Sequence, residues 1–142
     1  MKLKIGICGY GGLGRVHTRN ISQMDDVEIA AVCDSRPDRL KVKKVDYNIA
    51  QQQKKEFDLS AVRTYTRFDR MLKKEALDAV IMALPTDLHA EYAIKALRAG
   101  CHVFGEKPMA LTVPECDRMI AVSRRCRRQL MIGQCLRFWP EY

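Results

Sequence analysis

The sequence predicts a doubly wound α/β domain, in which helices cover both faces of a parallel sheet of about six strands. Apolar strand-like runs alternate along the chain with segments of helical periodicity. One run, LDAVIMALP at 77–85, contains a continuous apolar stretch after Asp78, as is typical of a strand buried on both faces. A glycine-rich turn also follows the first run directly. In this class, ligands bind at the carboxyl ends of the strands, where the strand order reverses.

The first half of the chain predicts two strands and two helices. LKIGIC at 3–8 is the first strand, and VEIAAVCD at 27–34 is the second. Ser35 is the expected N-cap, and Pro37 an early residue, of a helix through 38–57. The helix between the strands is expected to pack one face on the sheet, with these residues at helical spacing: Leu13, Val16, His17, Ile21 and Met24.

The middle of the chain repeats the alternation. AVRTY at 61–65 predicts the third strand, FDRMLKKE at 68–75 a short helix, and the run at 77–85 the fourth strand. Thr86 is the expected cap of the next helix, and Gly100 its stop. One face of that helix carries Ala90, Ala93, Ile94 and Leu97.

The last third predicts two strands around one helix. CHVFG at 101–105 is the fifth strand, and LMIGQC at 130–135 is the sixth. The helix between them is expected to pack through Val113, Cys116, Met119 and Ile120.

Length and composition favour one soluble domain. The chain has 142 residues, of which 47% are hydrophobic and 30% charged, with no apolar run long enough to span a bilayer. The N-terminus has neither the apolar region nor the cleavage site of a signal peptide. These features predict a cytoplasmic protein without membrane contact.

The net charge of +8 raises the question of nucleic acid. Its densest cluster comprises Arg124, Arg125, Arg127 and Arg128. Because no aromatic residues interleave with these arginines to stack bases, a solvated helix face is favoured over nucleic-acid binding.

The six cysteines do not predict a metal site, because none are paired as CxxC and no histidine lies at zinc-finger spacing. Cys8 and Cys33 are expected near the ends of neighbouring strands. A reduced thiol pair is favoured there, with a disulfide as the other reading.

The stretch GYGGLG at 9–14 predicts a dinucleotide-binding turn. Gly9 permits a tight bend, Gly11 lets a pyrophosphate approach the backbone, and Gly14 lets helix and strand pack closely. Asp34 follows about twenty residues after Gly14, the spacing of a carboxylate that binds the adenosine ribose. This context favours a nucleotide site over an ordinary turn.

Asp34 favours NAD, because a carboxylate accepts hydrogen bonds from a ribose diol and repels a 2′-phosphate. Arg36 keeps NADP possible, since a guanidinium two residues on could pair with that phosphate.

Three segments together resemble the N-terminal half of Gfo/Idh/MocA oxidoreductases: IGICGYGGLGRVHTRNI, DAVIMALPTDLHAEYAIKALRAGCHVFGEKPMALTVPE and IGQCLRFWPEY. The most specific element is the strand followed by Pro-Thr-x-x-His and then Glu-Lys-Pro. The resemblance implies a Rossmann domain over 1–135, with 136–142 opening a C-terminal domain for substrate binding and oligomer contacts.

The resemblance also implies roles for individual residues. Lys107 would lie beside the nicotinamide and hydrogen-bond the substrate hydroxyl, and Pro108 would follow a cis peptide bond. Lys107 is therefore the predicted catalytic residue. The predicted cofactor-binding residues are Gly9, Tyr10, Gly11, Gly12, Leu13, Gly14, Asp34, Ser35, Arg36, Leu84, Pro85, Thr86, His89, Glu106, Lys107 and Pro108.

The implied activity is hydride transfer between NAD, or NADP, and a secondary hydroxyl of a sugar or inositol-like polyol. The cationic Lys107 suits it by stabilising a developing alkoxide. In the resembled family the base is an Asp and His pair of the second domain, and the complete enzyme is expected to be a homo-oligomer. The alternative is an inactive NAD(P)-binding fragment or sensor module.

Overall fold

The sheet of the computed structural model, which describes residues 2–41 and 57–141, confirms the predicted class. The strands are β1 (Leu3–Cys8), β2 (Val27–Cys33), β3 (Arg63–Tyr65), β4 (Ala79–Met82), β5 (His102–Glu106) and β6 (Leu130–Gly133). They pair in parallel in the order β3-β2-β1-β4-β5-β6. The order therefore reverses between β1 and β4, where a doubly wound sheet opens a crevice.

Helices cover both faces of this sheet. They are α1 (Gly12–Ile21), α2 (Phe68–Lys74), α3 (His89–Arg98) and α4 (Val113–Cys126). Ile21 of α1 packs into one apolar cluster, whereas Met71, Leu97 and Met119 of the other three helices pack into a second. In β4, Val80 and Met82 join the second cluster and Ile81 the first. The continuous apolar run thus has the two-sided burial that it predicted.

The packed face of α1 differs from the prediction. Leu13 is 55% exposed, and Met24 lies beyond the end of the helix. Gly14, Thr18 and Ile21 are buried instead, and the Thr18 hydroxyl donates to the Gly14 carbonyl at 2.7 Å. Because the start of α1 lies close against β1, only small residues fit between them.

Neither predicted N-cap is observed. Ser35 is exposed, and the chain after it forms a 3-10 turn, Pro37–Leu40. The rest of the helix predicted through 38–57 lies largely outside the described residues. Thr86 opens another 3-10 turn, Thr86–Leu88, without a side-chain cap, and α3 begins after it. Gly100, at φ +89°, ends α3 as predicted.

Helix α4 buries Met119 and Val122, whereas the predicted core residues Val113 and Ile120 are 73% and 37% exposed. Its start is fixed by a capping box between Thr112 and Glu115, in which each side chain bonds the other residue's backbone N–H. The cap sets where the helix begins and therefore which residues face the sheet.

Candidate functional site

The glycine-rich turn after β1 has a geometry that larger residues cannot adopt. Gly9 has φ +90°, and a Cβ there would lie 2.3 Å from the Ala83 carbonyl oxygen. A Cβ at Gly14 would lie 1.9 Å from the Gly9 carbonyl oxygen. The two glycines therefore let the chain turn sharply and start α1 directly over the carboxyl end of β1.

Gly11 and Gly12 border open space instead. A Cβ at Gly12 would meet nothing within 4 Å, and one at Gly11 would meet only the Arg39 guanidinium, at 3.6 Å. Gly11 caps α1 without a side-chain hydrogen bond. Because the first N–H groups of a helix have no intrahelical partner, this cradle fits the anionic oxygens of a pyrophosphate.

Asp34 lies at the carboxyl end of β2 and is 4% exposed. Its Oδ2 accepts from the backbone N–H of Tyr10 at 2.7 Å, and its Oδ1 from that of Arg36 at 2.9 Å. Arg39 Nη1 donates to Oδ2 at 3.3 Å. The carboxylate is thus held beside the glycine turn, where it can face a ribose that follows the pyrophosphate.

A cavity of about 250 Å³ opens between these features and the end of β4. Predicted residues that line it are Gly9, Asp34, Ser35, Arg36, Leu84 and Pro85. Lining residues that the prediction missed include Cys8, Cys33, Arg39, Thr66, Phe68, Leu88 and Tyr92. The aromatic rings of Phe68 and Tyr92 stack at 5.1 Å. A slot with apolar walls beside a carboxylate suits the adenosine end of a dinucleotide.

Tyr10 is predicted to bind the cofactor, but its side chain is only 3% exposed and packs in the core. Arg15 lies over its ring, 4.6 Å from the centroid. Tyr10 thus serves the site through the N–H that it donates to Asp34.

Cys8 and Cys33 are register partners on β1 and β2, and both are free thiols. The hydrogen bond from Cys8 lowers the pKa of the Cys33 thiol. The same bond, together with burial, raises the pKa of Cys8, since two neighbouring buried thiols cannot both ionise. The preference for a reduced pair over a disulfide stays a prediction.

Glu106, at the end of β5, contacts α1. Its Oε1 lies 2.6 Å from Nε2 of His17, whose ring also packs edge-on against Phe104 at 5.6 Å. Both side chains of the pair are partly buried. The pair connects the helix of the glycine turn to the strand that leads to Lys107.

Lys107 follows β5 directly and is exposed. Within residues 2–41 and 57–141, its side chain has no hydrogen-bond or ion-pair partner. The Lys107–Pro108 peptide bond is cis, as the resemblance implies. Lys107 therefore stands at the same sheet edge as the glycine turn with a free ammonium group.

His89 holds two loops together instead of lining the cavity. It is 1% exposed, with Nε2 2.9 Å from the Leu84 carbonyl oxygen and Nδ1 2.8 Å from that of Pro108. A neutral ring donates to one of these oxygens, and a protonated ring to both. His89 thus connects the loop after β4 to the loop that carries Lys107.

A larger cavity, about 540 Å³, lies at the opposite end of the strands, near the amino ends of β1, β2 and β3. Its lining includes Lys4, Arg63 and the buried Glu75, which pairs with Arg63 and accepts from the Tyr65 hydroxyl. Because ligands of this fold class bind at the carboxyl ends of strands, the smaller cavity is the candidate site.

Two further features are not found in the part of the chain that the structure describes. No three or more His, Cys, Asp or Glu side chains converge there as metal ligands. No helix there is long and apolar enough to cross a membrane.

Comparison with known proteins also indicates a dinucleotide-binding domain. The model of an oxidoreductase family with an NAD-binding Rossmann fold, GFO_IDH_MocA, matches residues 3–134. The chain is 30% identical over 136 residues to a myo-inositol 2-dehydrogenase of Thermotoga maritima, and 30% identical over 141 residues to a glycosyl hydrolase family 109 protein of Shewanella baltica.

A solved structure is also similar, that of a scyllo-inositol dehydrogenase from Lactobacillus casei with NAD(H) and scyllo-inositol bound. It superposes with a TM-score of 0.80 at 28% identity, over 100% of this chain and 39% of that one. The alignments to the two curated relatives cover 96% and 98% of this chain but 37% and 30% of the relatives. The chain thus spans about 30–40% of the length of these three proteins.

Proposed function

This chain belongs to the Gfo/Idh/MocA family of NAD-binding oxidoreductases, and we propose that it is the cofactor-binding part of a dehydrogenase acting on a secondary hydroxyl of a sugar or inositol-like polyol. One observation carries the proposal: the glycine turn, Asp34 and Lys107 lie at one edge of the sheet, at the ends of β1, β2 and β5. The inositol dehydrogenases among its relatives support the polyol class.

The described residues can bind each part of NAD in turn, beginning with the pyrophosphate. The N–H groups at 12–14 would bind the pyrophosphate over Gly11, and Asp34 would accept from the adenosine ribose. Ser35 would border that ribose. Leu84 and Pro85, which line the cavity, and the adjacent Thr86 would line the path toward the nicotinamide. When bound, NAD supplies the acceptor for the hydride.

Lys107 is the residue proposed to act on the substrate. Its ammonium group would donate to the substrate oxygen and stabilise the negative charge that develops as the hydroxyl proton leaves. Glu106 would keep Lys107 in place through its contact with His17. Because the side chains of Glu106 and His17 hydrogen-bond each other, neither is proposed to accept the proton of the substrate hydroxyl.

A second domain is part of the proposal. It would follow residue 135, begin with 136–142, and supply the proton acceptor, most substrate contacts and the oligomer interface. Phe138 and Trp139, which are 74% and 55% exposed, would pack against it.

The resemblance to a glycosyl hydrolase family 109 protein supports a second candidate, cleavage of a glycosidic bond. To distinguish the two candidates, a longer protein that carries the proposed second domain would be incubated with NAD and a panel of free polyols and aryl glycosides. NADH formation from a polyol supports the dehydrogenase, whereas release of the aryl group without net NADH supports the hydrolase. If neither occurs although NAD binds, the inactive binding module is the correct reading.

The cofactor role is tested on this chain by NADH fluorescence titration. We expect saturable binding with a Kd between about 1 μM and 1 mM, and no turnover of polyols. Gly11→Val is the test variant, because the backbone at Gly11 has φ −79° and its Cβ direction faces the cradle. It should weaken NADH binding at least about tenfold with an unchanged circular dichroism spectrum. Absence of saturable binding by the unmodified chain would refute the cofactor role.

A further inference from the structure

The proposed hydride transfer does not use the thiols of Cys8 and Cys33, although both line the cavity of the candidate site. The two residues end adjacent strands and are register partners in the parallel pairing of β1 with β2. Both pack in one apolar cluster, whereas the residues before them, Ile7 and Val32, pack in the other. The two thiols therefore lie side by side on the same face of the sheet.

The backbone spacing at this pair permits a disulfide. Neighbouring strands lie about 4.7–4.9 Å apart, within the range of about 4.4–6.8 Å between the Cα atoms of a disulfide. Sheet hydrogen bonds hold both backbones, since the Cys8 carbonyl accepts from Ala83 N and the Cys33 carbonyl from Gly9 N, each at 2.8 Å. Because a disulfide brings two Cβ atoms to about 3.5–4.5 Å, it would draw the strand ends together against these bonds.

The two thiols differ in how readily they ionise. The hydrogen bond from Cys8 lowers the pKa of the Cys33 thiol, whereas the same bond and burial raise the pKa of Cys8. The negative charge of Asp34 opposes ionisation of both thiols, so the hydrogen bond decides which one ionises first. Because the thiolate is the nucleophile in thiol oxidation, Cys33 is the attacking residue and Cys8 the resolving one.

The cavity gives a small oxidant access to the pair. Cys8 and Cys33 are only 2% and 3% exposed, but the cavity that they line has a volume of about 250 Å³. This volume is several times the share of one water molecule in the liquid, roughly 30 Å³. Hydrogen peroxide, which is little larger than water, can therefore reach the Cys33 sulfur.

We propose that Cys8 and Cys33 form a site of reversible oxidation, at which hydrogen peroxide converts the thiol pair to a disulfide that weakens NADH binding. The Cys33 sulfur attacks one peroxide oxygen, the O–O bond breaks, and the other oxygen leaves as water with the Cys33 thiol proton. The Cys8 sulfur then attacks the sulfenic sulfur of Cys33. The S–S bond forms as the S–O bond breaks, and the hydroxyl leaves with the Cys8 proton as a second water. Two electrons thus pass from the thiol pair to the peroxide.

The disulfide acts on the candidate site through the residues that follow the two thiols. Gly9, which begins the glycine turn, follows Cys8, and Asp34 follows Cys33. Drawing the strand ends together would therefore displace both residues from the positions described above. Disulfides of cytosolic proteins are usually transient and often redox-sensing, which fits a reversible bond. The effect on NADH rests on the proposed cofactor role, whereas formation of the disulfide does not.

The test treats the unmodified chain with millimolar hydrogen peroxide, which catalase then removes. Peptide mass spectrometry, after free thiols are blocked with iodoacetamide, should identify a peptide crosslinked through Cys8 and Cys33. Fluorescence titration should show NADH binding weakened at least about tenfold, and dithiothreitol should restore it by thiol–disulfide exchange.

Three variants locate the chemistry. Cys8→Ala has no resolving thiol, so its oxidation should end at a Cys33 sulfenic acid that dimedone traps. In Cys33→Ala, peroxide should change NADH affinity by less than about threefold. Cys101→Ala is the matched control, because it removes a buried thiol outside the cavity lining, and it should form the same disulfide as the unmodified chain.

No disulfide in excess peroxide, or one that joins other cysteines or two chains, would overturn the inference. It would also be overturned if the Cys8–Cys33 disulfide left NADH affinity unchanged, or if Cys33→Ala lost affinity on oxidation as the unmodified chain does. If the reduced chain binds no NADH, the cofactor role fails and the effect on binding with it, whereas a mapped Cys8–Cys33 disulfide still establishes the oxidation site.

Discussion

His17 Nε2 lies 2.6 Å from Glu106 Oε1, and this contact joins α1 to the end of β5. In the sheet, β4 separates β5 from β1, so the contact spans the point where the strand order reverses. Glu106 directly precedes Lys107, and α1 starts at the glycine turn. The pair therefore couples the two halves of the proposed site.

A double-mutant cycle measures this coupling. His17→Ala and Glu106→Ala should each lower the free energy of unfolding by about 1–3 kcal/mol, because each leaves a partly buried polar partner unsatisfied. The loss of stability in the double variant should be smaller than the sum of the two single losses by about 1–2 kcal/mol. Urea unfolding of the four chains gives the coupling energy. Strict additivity would show that the two side chains do not stabilise each other.

Gly14→Ala tests the close approach of α1 to β1. Its Cβ would lie 1.9 Å from the Gly9 carbonyl oxygen, so the helix must move away, and we expect a loss of at least about 3 kcal/mol of stability. Gly12→Ala is the matched control, since its Cβ would meet nothing within 4 Å. It should leave stability unchanged or raise it by up to about 1 kcal/mol. Thermal unfolding without cofactor distinguishes them, and equal stability of the two variants would contradict the packing described.

The features of the fold and site that could be predicted from the sequence are those with local signals. Gly9, Gly14 and Asp34 could be predicted because a turn, a close packing and a strand end each demand a particular residue type within a short stretch. Strand β4 could be predicted because its burial on both faces makes it continuously apolar.

The features that could not be predicted depend on tertiary contacts between residues that no local sequence pattern brings together. Arg39 reaches Asp34 only because a 3-10 turn replaces the predicted helix start. The contact of His17 with Glu106 joins residues that are distant in the chain. Leu13 has the spacing of a packed helix face, yet it is exposed, because the glycine contact sets the rotation of α1.

The thiol pair in the cavity predicts a pH-dependent reactivity. The hydrogen bond from Cys8 lowers the pKa of Cys33 from its ordinary value, so the Cys33 thiolate forms at lower pH than it would without that bond. The quantity to measure is the pH midpoint of Cys33 alkylation by iodoacetamide, followed by peptide mass spectrometry. In Cys8→Ala the midpoint should rise, since the hydrogen bond is gone. The exposed Cys135 is an internal reference for the reagent. An unchanged Cys33 midpoint in that variant would show that Cys8 does not set its ionisation.

Lys107→Ala separates a chemical role from a structural one. Lys107 is exposed and has no side-chain partner in the described part of the chain, so its truncation should change the free energy of unfolding by less than about 0.5 kcal/mol. NADH affinity should change less than about threefold, because the ammonium group is proposed to bond the substrate and not the cofactor. In a longer protein that carries the substrate part, turnover should fall about 10²–10³-fold, the effect of removing one donor to a developing oxyanion. Lys73→Ala, which removes an exposed lysine from α2, is the matched control and should alter none of these quantities. Losses of NADH affinity and turnover by the same factor would mean that Lys107 acts through cofactor binding, and its proposed contact with the substrate oxygen would be wrong.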